Sequence, residues 1–542
     1  MLTLLLIFCL ALNGSNSCRH TNKNVPPPSS QYQGSVLTSL LEQVDSCEEP
    51  ALRVFLRLKL ATYLWSKPAG SLKPETIATT ALAELRDHEK EIPALYVDQF
   101  RKNLIAQLQL HAPELVRDLA ENNNPESRTD LEVAYSLLGQ EKGNDQAVRI
   151  VQDSIGGGKD PGSIIVPFLH RLETIKSSDV SKILTTVISQ EETQPGSISS
   201  GTLFRLKHLF IRKQTSEELQ NRYLVVVVHR AEQAEGPLAS VVDTYTILVD
   251  LLPEVEKRKP DLYYSASVAL TELAKRVPKA TLDRVALDKR VRASNDPLAQ
   301  LMSEMEAVTD LSLKEDLQIE ASQIALEKGQ IQLAINLVVK LKPKNEQALV
   351  WRDQFIEKAV VAAIDGGDIG TAELGARQIR SASVRSSAMQ KVALYFQKSN
   401  KLGRAHEALL FAQDSVNTLG DSNEKAVALL NLANSYLKID SSRSMDLARA
   451  AIKIINKAFN EGPASKQSVQ IGGDQQLTNA ESMLIIAYRL MPTFQLLGAT
   501  DESAALDLAK DIQRQELRIA ATFGAYSHPP TGTVQGVAQN NR

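Results

Sequence analysis

The sequence predicts an all-α protein of stacked antiparallel helix pairs forming an α-solenoid, and three observations carry that expectation. Apolar residues recur at three- and four-residue spacing from about Ser35 to Thr522, separated by short turns rich in Gly, Pro, Asn and Asp. Aromatic residues make up 5% of the 542 residues while 43% are hydrophobic, so the interior is filled by Leu, Ala, Ile and Val, which let helices approach closely. Cys9, Cys18 and Cys47 are the three cysteines and fall in the first tenth of the chain, so packing rather than disulfides or structural zinc must hold the body together. A chain of this length would make three or four domains at roughly 150 residues each, unless one elongated repeat array replaces them.

The chain opens with Leu2 to Leu12, an apolar run shorter than the roughly 20 residues that span a bilayer, followed by the small polar stretch Asn13 to Ser17. Residues 1–17 read as an export signal, although no Lys or Arg precedes the run. Ser17 followed by Cys18 resembles the lipid-attachment box of bacterial lipoproteins, with Ser15 where that box usually carries Leu. The resemblance implies Cys18 as a candidate lipid-attachment residue and an exported chain that is periplasmic or membrane-anchored. Residues 18–35, with Pro26, Pro27, Pro28, Ser29 and Ser30, would then be an extended tether. The alternatives are a secreted protein in which Cys18 and Cys47 pair or stay free, and a cytoplasmic scaffold that keeps its N-terminus.

Five further stretches are expected to be helical or structureless by pattern. Residues 36–195 form an N-terminal helical region, 196–310 a middle one, and 476–524 the C-terminal helices, with a loop at 461–475 and a disordered tail at 525–542. Pro74, Pro93, Pro113 and Pro161 suit first-turn positions, Ser312 with Glu315 reads as a capping box, and breaks are expected at Gly156–Gly162, Gln194–Ser200 and Gly462–Gln475. Leu56 to Leu60 alternates as a strand would and Val225 to Val228 is β-branched throughout, but each sits inside a longer helical pattern and is read as buried helix.

Residues 311–460 carry the clearest repeats. Gly329, Gly367, Asn400 and Asp440 fall 38, 33 and 40 residues apart, within the roughly 33 to 47 residues of two-helix repeats. Gly and Asn suit a left-handed helix end and Asp the next helix start. Val392, Ala393, Phe396, Ala405 and Ala412 have the spacing of tetratricopeptide repeats, and Leu432, Ala433 and Tyr436 match its first half, with Met445 where the next small residue is expected. The chain thus resembles the tetratricopeptide class over about a quarter of its length. That resemblance implies a superhelix offering a surface to a protein or peptide.

Motifs for chemistry fail on their own residues. At Gly156–Lys159, Asp153 replaces the leading Gly of a phosphate loop and Asp160 the Ser or Thr that holds magnesium. Asp365–Asp368 resembles a calcium loop, but Gly367, Ile369 and Ala376 stand where oxygen ligands belong. His406 and Glu407 are followed by Leu410 where a zinc-protease helix needs its second His. Glu481 and Ser482 have the order found in lytic transglycosylases, yet only 61 residues follow Glu481, so it is read as a solvated helix residue. No cofactor or metal is expected.

Net charge is −3, which gives no general pull toward nucleic acid. One stretch differs: from Lys257 to Arg292 ten basic residues face four acids. Lys257, Arg258, Lys259, Lys289, Arg290 and Arg292 make it a candidate surface for an anionic partner, the alternative being an ordinary solvated helix face. The expected function is therefore a non-catalytic, exported interaction or scaffold module of the cell envelope, with an enzyme acting on envelope polysaccharide from an α-helical toroid as the rival.

Overall fold

The structure, a computed structural model, describes residues 30–68, 71–121, 128–138, 144–156, 161–175, 177–212, 215–234, 237–342, 345–460, 469–470 and 476–527. Cys18, the expected signal, most of the tether and most of the tail lie outside these residues. The chain divides into a terminal unit, residues 1–100 with 296–542, and a central unit, residues 101–295.

The terminal unit begins with α1 (Ser30–Asp45), α2 (Pro50–Ser66), α3 (Pro74–Asp87) and the start of α4 (Ala94–His111), inside which the division falls. The central unit continues with α5 (Pro113–Glu121), α6 (Arg128–Leu137), α7 (Asn144–Gly156), α8 (Pro161–Ile165), a 3-10 turn at Val166–Phe168, α9 (Leu169–Thr174) and α10 (Ser177–Thr193). It ends with α11 (Ser200–Phe210), α12 (Glu217–Glu232), α13 (Leu238–Arg258), α14 (Pro260–Arg276) and α15 (Lys279–Ala293). The terminal unit resumes with α16 (Pro297–Ala307), α17 (Leu311–Glu327), α18 (Ile331–Val339), α19 (Glu346–Asp365), α20 (Ile369–Gln378), α21 (Ala382–Lys398) and α22 (Leu402–Asn417). It closes with α23 (Asn423–Tyr436), α24 (Ser441–Asn460), the short strands β1 (Val469–Gln470) and β2 (Gln476–Leu477), α25 (Asn479–Thr500), α26 (Glu502–Lys510) and α27 (Gln515–Tyr526). The two strands pair antiparallel and are the sheet found among the described residues.

Proline marks helix starts because its missing N–H has no partner in the first turn anyway. Pro74, Pro113 and Pro161 open α3, α5 and α8, and Pro93 stands directly before α4. Ser312 does not cap α17. Asp310 takes that place, its Oδ1 accepting from Ser312 N at 2.8 Å and Leu313 N at 3.0 Å, because a carboxylate one residue before the helix reaches two free amides. Helix α1 also starts inside the expected tether, since Leu37, Leu40 and Val44 are buried and their spacing propagates the helix back to Ser30. At the other end α27 runs two residues into the expected tail: Ala525 is fully buried and Ser527 O accepts from Gln495 Nε2 at 3.0 Å.

The repeat turns share one geometry. Gly329, Gly367 and Asn400 have φ of 73°, 78° and 55°. At each, two amides fold back on the preceding helix: Gln330 N to Ala325 O at 2.8 Å with Gly329 N to Leu326 O at 3.1 Å, and Asp368 N to Ala363 O at 2.9 Å with Gly367 N to Ile364 O at 3.1 Å. Lys401 N to Phe396 O at 2.8 Å and Asn400 N to Gln397 O at 3.0 Å repeat the pattern. These are Schellman ends, which satisfy carbonyls the helix leaves over. Asp368 and Asp440 then cap the following helices, accepting from Thr371 N at 3.1 Å and Arg443 N at 2.9 Å.

Each turn folds a helix back on its predecessor, giving the packed pairs α17/α18, α19/α20, α21/α22 and α23/α24. The first helices, α19, α21, α23 and α25, also pack in a row. Val392, Ala393, Phe396, Ala405 and Ala412 are all buried where α21 meets α22. In the next pair the small residue sits one position early: Ser444, 1% exposed, takes the place expected of Met445 and donates to Ala433 O at 2.7 Å. The drift in the sequence pattern is thus a one-residue shift absorbed by a serine that satisfies its own hydroxyl.

The end of the array is covered by its beginning. Helix α2 packs on α25 and α1 on α27. The Phe55 ring lies 4.3 Å from Tyr488, and Tyr63 meets Phe523 edge-on at 5.9 Å. The expected regions 36–195 and 196–310 therefore follow helix turns and not these compact units, since contacts this distant in sequence leave no periodicity to read. Leu56–Leu60 and Val225–Val228 lie in α2 and α12, as helices. Helix α25 is long and apolar enough to cross a membrane by length and composition, and here it is the core helix on which α2, α23, α26 and α27 converge.

Candidate functional site

The six basic residues of the sequence patch come from two ends of the central unit's helices. Lys257 and Arg258 close α13, Lys259 links it to α14, and Lys289, Arg290 and Arg292 lie in the last turns of α15. Cations at helix C-terminal ends face the partial negative charge of the peptide dipoles, which explains part of their clustering. Arg258 is also engaged by Glu254 at 2.7 Å one turn back. Arg292 Nη1 reaches Asp250 Oδ2 at 3.5 Å, which places the end of α15 beside α13, about two turns or ~10 Å before Lys257.

Helix α11 supplies what the sequence patch left out. Leu203, Leu206, Leu209 and Phe210 turn into the core, so Lys207, His208 and the following Ile211 and Arg212 emerge at the helix end. Lys207 Nζ meets Asp250 Oδ2 at 2.5 Å, and His208 Nε2 meets Glu173 Oε1 at 2.7 Å. Between α11, α13 and Arg292 lies a cleft of about 410 Å³ whose apolar walls are Ile211 and Leu251.

The charges around this cleft are unevenly matched. Asp250 serves both Lys207 and Arg292, and Glu254 serves Arg258. Arg212 feels the Glu173 carboxylate, and its Nε is buried with no hydrogen-bond acceptor among the described residues. Burial lowers the pKa of its guanidinium, an effect the Glu173 carboxylate opposes, and it stays cationic at any physiological pH. Its backbone is pinned, since Arg212 O accepts from Thr215 N at 3.1 Å and Gln220 Nε2 at 3.0 Å. A recess with cations set over apolar walls can hold a carboxylate attached to an apolar group. Lys207 and His208, with Arg212, could have been noticed as a basic run closing a helix, but nothing in the sequence places that run beside residues 80 positions onward.

The terminal unit holds a second cleft, of about 340 Å³, lined in part by Cys47, Phe459, Arg514 and Glu516. Cys47 is a free thiol, 4% exposed, whose pKa is pushed up to about 11 by burial and then by the Glu516 carboxylate. Such a thiol is a poor nucleophile at neutral pH. Arg514 Nε and Glu516 Oε2 form an ion pair at 3.0 Å on the same wall.

The residues that resembled catalytic motifs have structural roles. Glu481 completes a capping box at the start of α25: Thr478 N donates to its carboxylate at 2.7 Å, and Glu481 N donates to Thr478 Oγ1 at 3.2 Å. Asp368 caps α20. His406 packs edge-on against Tyr436 at 6.0 Å. Of the phosphate-loop resemblance, Gly156 ends α7 and residues 157–160 lie outside the described residues.

No family model matches the chain, and no curated protein matches it. Among solved structures it is similar to a circular tandem repeat protein with novel repeat topology and enhanced subunit contact surfaces, at 12% identity and a TM-score of 0.20, over 91% of this chain and 98% of that one. It is also similar to SYS-1, at 12% identity and a TM-score of 0.17, over 91% of this chain and all of that one. Likenesses this slight bear on neither fold nor function, and the helical-repeat architecture follows from the helix pairing itself.

Proposed function

We propose that this chain is a non-catalytic, exported helical-repeat protein of the cell envelope that serves as a protein–protein interaction or scaffold module, attached to a membrane through Cys18 or released after signal cleavage. The observation that carries the reading is the cleft of the central unit, whose lining combines the cations Lys207, Arg212 and Arg292 with Ile211 and Leu251. Its two acids are each engaged by cations, Asp250 by Lys207 and Glu254 by Arg258. That arrangement suits holding a partner group more than turning one over. A glycosidase would instead present two facing carboxylates about 5 to 9.5 Å apart, one of them free to transfer a proton.

The test is crosslinking and pull-down from the native envelope, together with a mass measurement of the mature N-terminus. The reading expects a captured protein and a chain that begins at Cys18 or close to it, with added lipid mass if Cys18 is acylated. Release of soluble sugars from envelope polysaccharide by the purified chain would establish the enzymatic rival instead. Recovery of the intact Met1 N-terminus from the cytosol would remove the export assignment.

A further inference from the structure

We infer that helix α14 docks on α14 of a second copy of this chain, antiparallel, with the crossing point at Val268. Self-docking goes beyond the scaffold reading and involves no part of the central-unit cleft. It begins from an exposed apolar pair. Tyr264 is 79% exposed and Val268 46%, and among the described residues no other helix carries two large apolar side chains so open to solvent. Four residues apart, they stand one above the other on a single face. Ala266, Ala269 and Leu273 are the buried residues of α14, which packs on α12 and α13. At about 100° of rotation per residue, the line through Tyr264 and Val268 runs along the opposite face, away from those neighbours.

The polar residues of the same face select the partner. Asp261, Thr271, Glu272 and Lys275 are exposed and continue the stripe at either end. Asp261 and Lys275 each stand seven residues from Val268, on opposite sides, and Tyr264 and Glu272 each stand four. A two-fold axis through Val268 reverses the second helix, so each residue meets the one equally far along on the other side. Asp261 then faces Lys275 of the second copy, and the Tyr264 hydroxyl can donate to the Glu272 carboxylate of the second copy. The axis makes each contact twice. Asp261 has no ion pair of its own among the described residues, so it brings an unmatched charge to the contact. Lys275 Nζ is held on this face by Glu272 Oε1 at 2.6 Å. Parallel docking would set Asp261 against Asp261 and Lys275 against Lys275, so the same charges select against it.

The helix dipole favours an acid in the first turn and a base in the last, and accounts for Asp261 and Lys275 taken singly. It does not call for Tyr264 and Val268 between them. Covered by their symmetry mates, these two supply the affinity, while ion pairs at exposed ends set register more than strength. Asp261 and Lys275 lie about 10 Å along the helix from the crossing. At the roughly 20° angle common to paired helices the two axes have splayed by only about 4 Å there, within reach of a lysine. The contact is a single helix face about 21 Å long, which makes it a weak interface with a dissociation constant on the order of tens of micromolar.

The experiment is sedimentation velocity of the full chain from about 5 to 200 µM, a range that brackets such a constant. The parent should pass from monomer to dimer across it. Asp261→Lys alone and Lys275→Asp alone should each weaken dimerisation about tenfold or more, because like charges then face each other across the axis. An equimolar mixture of these two variants should dimerise as the parent does, since every facing pair is again of opposite sign. Tyr264→Ser should also weaken dimerisation about tenfold. The control Leu374→Ser, at a position 58% exposed on α20, should dimerise as the parent does. Circular dichroism melting reports whether each variant folds. If either charge variant is unfolded, Tyr264→Ser carries the test.

A parent that stays monomeric at 200 µM, a dimer that the single variants leave unchanged, or a mixture no better than its components would each overturn the assignment. A monomeric parent whose envelope crosslinks are lost in Tyr264→Ser would give the stripe to a different protein. A monomeric parent that pellets with phosphatidylglycerol vesicles, and no longer does so in Tyr264→Ser, would give it to lipid. Either result ends self-docking. Dimerisation as described, with no envelope protein captured, would leave self-docking standing and remove the envelope assignment.

Discussion

Where α25 crosses α27 the backbones touch through glycine, and adding one methyl group there should be costly. A Cβ on Gly524 would stand 2.4 Å from Met491 O and 3.0 Å from Phe494 Cβ, and one on Gly498 would stand 2.4 Å from Ala525 O. A carbon and a carbonyl oxygen rest at about 3.3 Å or more, so the helices would have to separate by about 0.9 Å. The obstructing atoms belong to helix backbones and cannot rotate aside, which puts the strain at about 3 kcal/mol, the upper end of overpacking costs. Alanine is the better helix former by about 1 kcal/mol, so Gly524→Ala should lose about 2 kcal/mol net. Gly403 in α22 has nothing within 4 Å of its Cβ position, and there the same substitution should gain up to about 1 kcal/mol. Urea unfolding of the three chains, followed by circular dichroism, measures both. Equal stability of Gly524→Ala and the parent, or shifts of the same sign at both sites, would refute the close crossing.

Three further outcomes are expected. Gly367→Ala should cost about 1 to 2 kcal/mol in the same urea assay, because its φ of 78° is unfavourable for a side chain although no atom obstructs the Cβ. Cys47 should resist iodoacetamide in the native chain near pH 8.5 and react on unfolding, followed by peptide mass spectrometry; its pKa is raised from 9.0 to about 11, so the stability it contributes is complete below about pH 9 and is lost as pH climbs through about 11. Glu357, 4% exposed, has its pKa raised above 4.5 by burial, which the nearby Lys391 and the Ser387 hydroxyl only partly oppose, so its stabilising share is full below that value and falls as pH rises through the raised one. Glu357→Gln should flatten that decline and be at least as stable as the parent at pH 7; urea midpoints at pH 5 and pH 8 that move in parallel for both chains would contradict this.

The repeats were legible because their signals are local. A positive-φ turn leaves Gly or Asn in the sequence, and the next helix start leaves Asp, so Gly329, Gly367, Asn400 and Asp440 could be placed within a residue. Competition between neighbouring caps was less visible: Asp310 and Ser312 both suit a helix start, and only the ability of a carboxylate to take two amides decides between them. The candidate site was half legible. Composition singled out the ends of α13 and α15, but the cleft exists because Lys207 and Arg292 share Asp250 across helices far apart in the chain. The packing of Phe55 on Tyr488 was likewise invisible to periodicity, which reports the face a helix buries and not the helix it buries it against.

Hydrogen exchange along the full chain, read by mass spectrometry, tests most directly whether helix pairs draw their stability from neighbouring pairs. Helices α21, α23 and α25, packed in a row with partners on both sides, should exchange slowest in the terminal unit. Helix α15, which buries Leu287 and Val291 alone among its own residues, should exchange faster than α12 and α13 of the central unit. Slow exchange of α15 together with rapid, uniform exchange across α21 to α25 would mean that the helices stand independently and that the stacked array is not the source of the fold.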